Sequence, residues 1–239
     1  MTETSSKPTV SHLRPDRPIS GYADVVDFIR RQISLGRLVP GDRLPSERRL
    51  AVELGVARET LRQGLRVLEG SGQITVTRGT TGGATVQDNS LAPEIAIHEL
   101  RQRRESLLSL AEYRREIESI AARIAATRRT QADLHEMDSA QLALEDAPNK
   151  DEARRADTAF HLAVARAAGN PYLTAAIEDA RAAMFQPVDL ALNFFKEASL
   201  SQHELVLQGI RAEDGKAAGT AMWDHIECTR TEMQRMIDG

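Results

Sequence analysis

The chain has one cysteine, Cys228, so an internal disulfide framework is excluded and a reducing compartment fits. Only 4% of its residues are aromatic. Leucine and alanine are plentiful, which argues for helices and against a β-sandwich or barrel. No apolar run approaches the ~18 residues that would suggest a membrane span. The first twenty residues lack the apolar stretch of a secretory signal, and their Ser, Thr and Pro content predicts a loose arm. Basic excess is missing too: 31 Lys+Arg stand against 35 Asp+Glu, a formal net charge of −4. Taken whole, that balance argues against a nucleic-acid binder. What is present is 239 residues, 41% hydrophobic and 28% charged, enough for one large domain or two ordinary ones.

The charge is unevenly spread. Residues 1–90 carry 13 Lys+Arg against 10 Asp+Glu, and the remainder carries 18 against 25. Residues 28–80 alone hold 10 Arg against 5 acids. A basic N-terminal module is therefore joined to an acidic remainder.

Residues 22–35 place Val25, Val26, Ile29 and Ile33 on one helical face, with Gly36 just beyond and a Pro40-Gly41 turn. Ser46 reads as the N-cap of a short helix that ends at Gly55. A second short helix, 58–70, carries Leu61, Leu65 and Leu68 on its inner stripe. Ile74 and Val76 then alternate with polar residues, followed by a Gly-rich tip and a run to Val86, which predicts a β-hairpin. The predicted fold is mainly α. A flexible arm (1–20) leads into a winged helix-turn-helix (21–88), and a linker (89–93) joins it to an all-helical bundle of six or seven helices (94–239). Helical segments are expected at 107–128, 131–146, 150–168, 171–195, 199–212 and 215–237, with a further one near 94–105.

Two abutting helices and a basic wing suit DNA. The leucine stripe packs inward while Arg58, Arg62 and Arg66 recur every four residues on the other face. Arginine can bond a guanine edge bidentately or clamp a phosphate. The plain alternative is a solvated face balanced by Glu59 and Glu69. Residues 40–72, PGDRLPSERRLAVELGVARETLRQGLRVLEGSG, resemble the DNA-binding domain of the GntR family of bacterial transcription regulators. The resemblance implies DNA contacts at Arg48, Arg58, Thr60 and Arg62, with the wing at Arg78 and Gly79. Two positions depart from the family pattern. Ala57 replaces the usual hydroxyl residue, and Gly64 sits mid-helix, where it costs about 1 kcal/mol relative to Ala.

In the remainder, Asp157 and His161 are four residues apart and share a helix face. His203 shares a face with Val206, Leu207 and Ile210, and His225 with Ala218, Ala221 and Met222. All three histidines point inward. A buried lone histidine is costly unless bonded, and three imidazoles with a carboxylate suit a first-row divalent metal. Each could equally be a hydrogen-bonded core histidine. His12, His98 and His135 lack such partners and read as surface residues.

Residues 155–173, 201–214 and 222–230 resemble the effector domain of the FadR subgroup of the same family. That resemblance implies that Asp157, His161, His203 and His225 hold a divalent metal, zinc first with nickel or manganese as alternatives. A small carboxylate effector often accompanies it. Residues 108–126 also match, at Glu112, Arg114 and Glu118, which implies that Arg114 reaches the effector; its alternative is a salt bridge to Glu118. The resulting expectation is a cytoplasmic, homodimeric transcription regulator and not an enzyme. It would be a repressor that binds a double-stranded DNA operator, is modulated by a small anionic metabolite, and has no membrane partner. The alternatives are a metal-responsive regulator without organic effector and a metal-dependent hydrolase.

Overall fold

Val25, Val26 and Ile29 are fully or nearly fully buried and drive the first helix, α1 (Tyr22–Ser34), onto its neighbours. The Asp24 carboxylate accepts from the backbone N–H groups of Ser20 and Gly21 at 2.8 and 3.1 Å and so closes its N-terminus. The computed structural model describes residues 13, 15, 18–77, 83–88, 93–188 and 196–239. It divides into two units, Met1–Ser90 and Leu91–Gly239.

In the first unit, α2 (Glu47–Leu54) starts where Ser46 Oγ accepts from the Arg49 N–H, and ends at Gly55, whose φ of +69° is left-handed. Helix α3 (Arg58–Gly70) follows at once and buries Leu61, Leu65 and Leu68. Its N-cap is Ala57, which offers no side-chain acceptor. Gly64 is buried against α1: a β-carbon there would lie 2.8 Å from Val25 Cγ1 and 3.2 Å from the Tyr22 carbonyl. The mid-helix glycine is thus the condition for α1 and α3 to approach so closely.

Strands β1 (Ile74–Thr77) and β2 (Gly83–Val86) pair antiparallel, with Ile74 opposite Val86. The Pro40-Gly41 segment does more than turn. Gly41 N–H donates to the Val86 carbonyl and Leu44 N–H to the Ala84 carbonyl, both at 2.9 Å, so residues 41–44 flank the wing. Ile74, Ala84 and Val86 join the leucines of α2 and α3 in one core.

Seven helices make up the second unit among the described residues: α4 (Pro93–Gln102), α5 (Arg104–Arg128), α6 (Gln131–Glu145), α7 (Lys150–Ala167), α8 (Pro171–Val188), α9 (Lys196–Arg211) and α10 (Gly215–Asp238). The polar breakers are the caps. Asn149 Oδ1 accepts from two N–H groups of α7, Asn170 Oδ1 from two of α8, and Asp214 from one of α10. Helix α8 is described to Val188, and the rest of the expected 171–195 segment lies outside the described residues. Small residues set the helix spacing. Ala121, Ala122, Ala125 and Ala126 are buried on α5, while a β-carbon at Gly215 or Gly219 would lie about 3 Å from a carbonyl oxygen of α5. Helix α7 runs through the bundle with Phe160, Val164 and Ala167 in its core. A helix buried on nearly all sides has room for polar side chains only where they find partners.

Candidate metal centre and nucleic-acid interface

Asp157 and His161 project from one face of α7, His203 from α9 and His225 from α10, and all four are buried. One potential ligand atom of each lies within 4.8 Å of all the others. His161 Nε2 is 3.2 Å from His225 Nε2, which is 3.3 Å from His203 Nε2. Asp157 Oδ1 lies 3.5 Å from His203 Nε2 and 3.8 Å from His161 Nε2. Ligands about 2.1 Å from one ion are separated by about 3.0 Å at right angles and about 3.4 Å at tetrahedral angles. The two imidazole spacings, 3.2 and 3.3 Å, fall in that range, and Asp157 stands slightly wider at 3.5 and 3.8 Å, so the donor set suits a first-row divalent ion.

Tautomers sharpen the fit. His161 Nδ1 is 2.5 Å from Glu118 Oε2, and His225 Nδ1 is 2.7 Å from Gln202 Oε1. Both partners are acceptors, so both Nδ1 atoms carry the proton and both Nε2 atoms present lone pairs. Those lone pairs face each other at 3.2 Å. A cation between them turns a repulsion into a bond.

Burial keeps the imidazoles neutral. It pushes His203 down to about 4 and, with His203 nearby, His225 to about 3. Burial and then the Arg181 guanidinium hold His161 well below its ordinary value. For Asp157, burial alone would raise the carboxyl, but the Arg181 guanidinium beside it outweighs burial and keeps it ionised. Neutral imidazole and ionised carboxylate are the forms that ligate.

Arg114 sits beside this cluster. Its Nε donates to Glu118 Oε1 at 2.7 Å, and its Nη1 lies 2.9 Å from Met184 Sδ. The salt bridge to Glu118 is therefore formed, and it is buried on both sides. Glu118 thus serves Arg114 with one oxygen and His161 with the other. Arg181 is fully buried on α8, and its Nη2 reaches Asp157 Oδ2 at 2.5 Å.

Arg181 and Gln202 are not among the site residues expected from the sequence, and Glu118 was expected there only as a partner of Arg114. Signals existed. Arg181 interrupts a buried stripe of Ile177, Ala180 and Met184, and Gln202 adjoins His203. His98 and His135 are exposed, and His12 lies outside the described residues.

In the N-terminal unit, Arg48 on α2 and Arg58 and Arg66 on α3 are exposed, with Thr60 and Arg62 half-buried. Arg78 and Gly79 lie outside the described residues. The acidic partners differ from expectation. Glu59 does approach Arg62 and Arg66, at 3.6 and 3.8 Å. Glu69 instead accepts from the Val76 N–H at 3.0 Å, tying α3 to the wing. Glu47 of α2 takes the balancing place, 3.3 Å from Arg62 and 4.0 Å from Arg58. Exposed pairs of this kind contribute at most about 1 kcal/mol, so these arginines can exchange carboxylate for phosphate or base.

Comparison with known proteins agrees with both halves. Residues 21–85 match the family described as bacterial regulatory proteins, gntR family, and residues 109–227 match the FCD domain. The chain is 31% identical over 225 residues to the Glc operon transcriptional activator of Escherichia coli strain K12, covering 87% of each. It is 30% identical over 231 residues to the Uxu operon transcriptional regulator of the same strain, covering 91% of this chain and 87% of that one. Among solved structures, E. coli McbR/YncC shares the fold, with a TM-score of 0.55 at 21% identity over 91% of this chain and 98% of that chain. These relatives are transcription regulators, not enzymes.

Proposed function

Because this chain belongs to the GntR family of DNA-binding bacterial transcription regulators and carries an FCD domain, we propose that a small carboxylate metabolite, held beside a divalent metal ion in the C-terminal unit, modulates its operator binding. Asp157, His161, His203 and His225 would hold the ion. Zinc fits this donor set first, with nickel or manganese as alternatives. When bound, the ion supplies fixed positive charge for anion capture. A homodimer in the cytoplasm would place one winged helix-turn-helix on each half-site of a pseudo-palindromic operator. Arg58, Thr60 and Arg62 would enter the groove, with Arg48 and the wing residues Arg78 and Gly79 beside them.

The observation that carries the metal reading is the facing pair of imidazole lone pairs, His161 Nε2 and His225 Nε2, 3.2 Å apart. Charge supports the anion. Arg114 and Arg181 formally balance Glu118 and Asp157, so a divalent cation leaves the buried cluster positive within an acidic unit. A carboxylate would neutralise that excess, with Arg114 as its proposed protein contact. Regulation requires that the effector bind one arrangement of the DNA-binding units better than the other. We propose repression as the sign, the outcome that the family resemblance implies. The similar E. coli Glc protein is named an activator, so expression from an operator reporter decides the sign directly.

A thermal-shift screen of zinc-loaded and chelator-stripped protein against small carboxylates and sugar acids tests the reading. A true effector raises the midpoint of the loaded form by mass action and leaves the stripped form unmoved. If no carboxylate moves either form, the effector assignment fails. Four protein ligands also close a tetrahedral shell, which favours a second reading in which the metal itself is the signal. Metal-dependent operator binding that no organic acid alters would select it.

A further inference from the structure

The four metal-ligating side chains are not held alike. Resting on the metal reading above, we propose that Glu118, Gln202 and Arg181 are the positioning residues of this centre. His203, which has no such partner, is then its weakest-held ligand. The contacts are direct: Glu118 Oε2 on His161 Nδ1 at 2.5 Å, Gln202 Oε1 on His225 Nδ1 at 2.7 Å, and Arg181 Nη2 on Asp157 Oδ2 at 2.5 Å. Each fixes the orientation of one ligand, and the two acceptors also fix a tautomer and raise the basicity of the opposite nitrogen.

His203 differs in kind. Its Nδ1 is buried with no hydrogen-bond partner among the described residues. Its ring is held instead by stacking on Phe160, with centroids 4.1 Å apart and planes 9° from parallel. Stacking restrains the ring plane. Without metal, the only acceptors near His203 among the described residues, His225 Nε2 and Asp157 Oδ1, lie at Nε2, so nothing at Nδ1 favours the ligating tautomer or raises the basicity of Nε2. Helix α9 therefore acts on the centre twice. It brings the least supported ligand, His203, and through the adjacent Gln202 it orients His225 on α10. A shift of α9 would release one ligand and unlock another, while Asp157 and His161 stay fixed on α7.

Competition between the stripped protein and a chromophoric chelator for zinc tests the ranking, using Gln202→Leu, Gln202→Glu, His203→Ala and His225→Ala. Gln202 is only half-buried, so its variants are not expected to unfold the bundle. Gln202→Leu should lower zinc affinity about 10–100-fold, and Gln202→Glu, which keeps the acceptor, should restore it. His203→Ala should lose at least about tenfold less affinity than His225→Ala, the factor that a supporting acceptor contributes. Unchanged affinity in Gln202→Leu, or a larger loss in His203→Ala than in His225→Ala, overturns the proposal. Failure of the wild type to take up zinc, nickel or manganese overturns the metal reading itself. Long-range ¹⁵N–¹H spectra of the stripped protein read the positioning claim independently. His161 and His225 should be locked as Nδ1–H tautomers, whereas His203 should carry its proton at Nε2, and three histidines all in the Nδ1–H form contradict the claim.

Discussion

The same residue types meet in two settings. On α2 and α3, Arg62 and Glu47 approach to 3.3 Å with 42% and 34% of their side chains exposed. On α5, Arg114 and Glu118 approach to 2.7 Å with 4% and 2% exposed. Water sets the difference. The exposed pair is screened, contributes little and can be traded for DNA phosphate. The buried pair has lost its hydration, so removing either member takes from the other its nearest counter-charge where water cannot replace it. One region keeps its charges available, and the other keeps its charges committed to geometry.

The contrast is breakable by measurement. Glu118→Ala leaves Arg114 buried without its carboxylate and His161 Nδ1–H without an acceptor. It should destabilise the chain by about 3–5 kcal/mol, read as a drop in denaturant midpoint; a loss below about 1 kcal/mol would place this pair with the exposed ones.

Acid should act next. The folded protein holds His203 and His225 well below 6.5, so below that pH the unfolded chain binds more protons. Stability of chelator-stripped protein should therefore be fully present above pH ~6.5 and fall steadily as pH drops toward about 4. A flat melting temperature across that window would contradict neutral burial of the imidazoles.

Arg62→Ala should lower operator affinity by about 1–3 kcal/mol with little change in melting temperature. Unchanged affinity in a mobility-shift titration removes Arg62 from the interface. Smallest is Glu47→Gln, which should change stability by less than about 1 kcal/mol. A larger change in the unfolding midpoint would mean that the exposed network is structural.

Much of the fold was legible because it follows local rules. The leucine stripe of α3, the Ser46 cap and the Gly55 stop each need only a few neighbouring residues. Asp157 and His161 were readable as a pair from a four-residue spacing, and His203 and His225 from their apolar helix faces. The partners were harder. Gln202 serves His225, 23 residues away on another helix, and Arg181 reaches 24 residues back to Asp157. Which helix faces meet is a tertiary fact that periodicity within one helix does not encode. Gly64 shows the same limit. Its cost as a mid-helix residue was visible, but its reason, the approach of Val25 and Tyr22 on α1, lies 39 and 42 positions away. Likewise, Glu69 looked like a partner for arginine on its own helix until the wing strand claimed it.

On this reading the facing imidazoles of His161 and His225 hold a cation. Elemental analysis of purified wild-type protein and of the His161→Ala/His203→Ala double variant tests it most directly. About one divalent metal ion per wild-type chain and essentially none in the double variant are expected. Equal metal content in the two proteins, or none in a wild type refolded with zinc, nickel and manganese present, would contradict it.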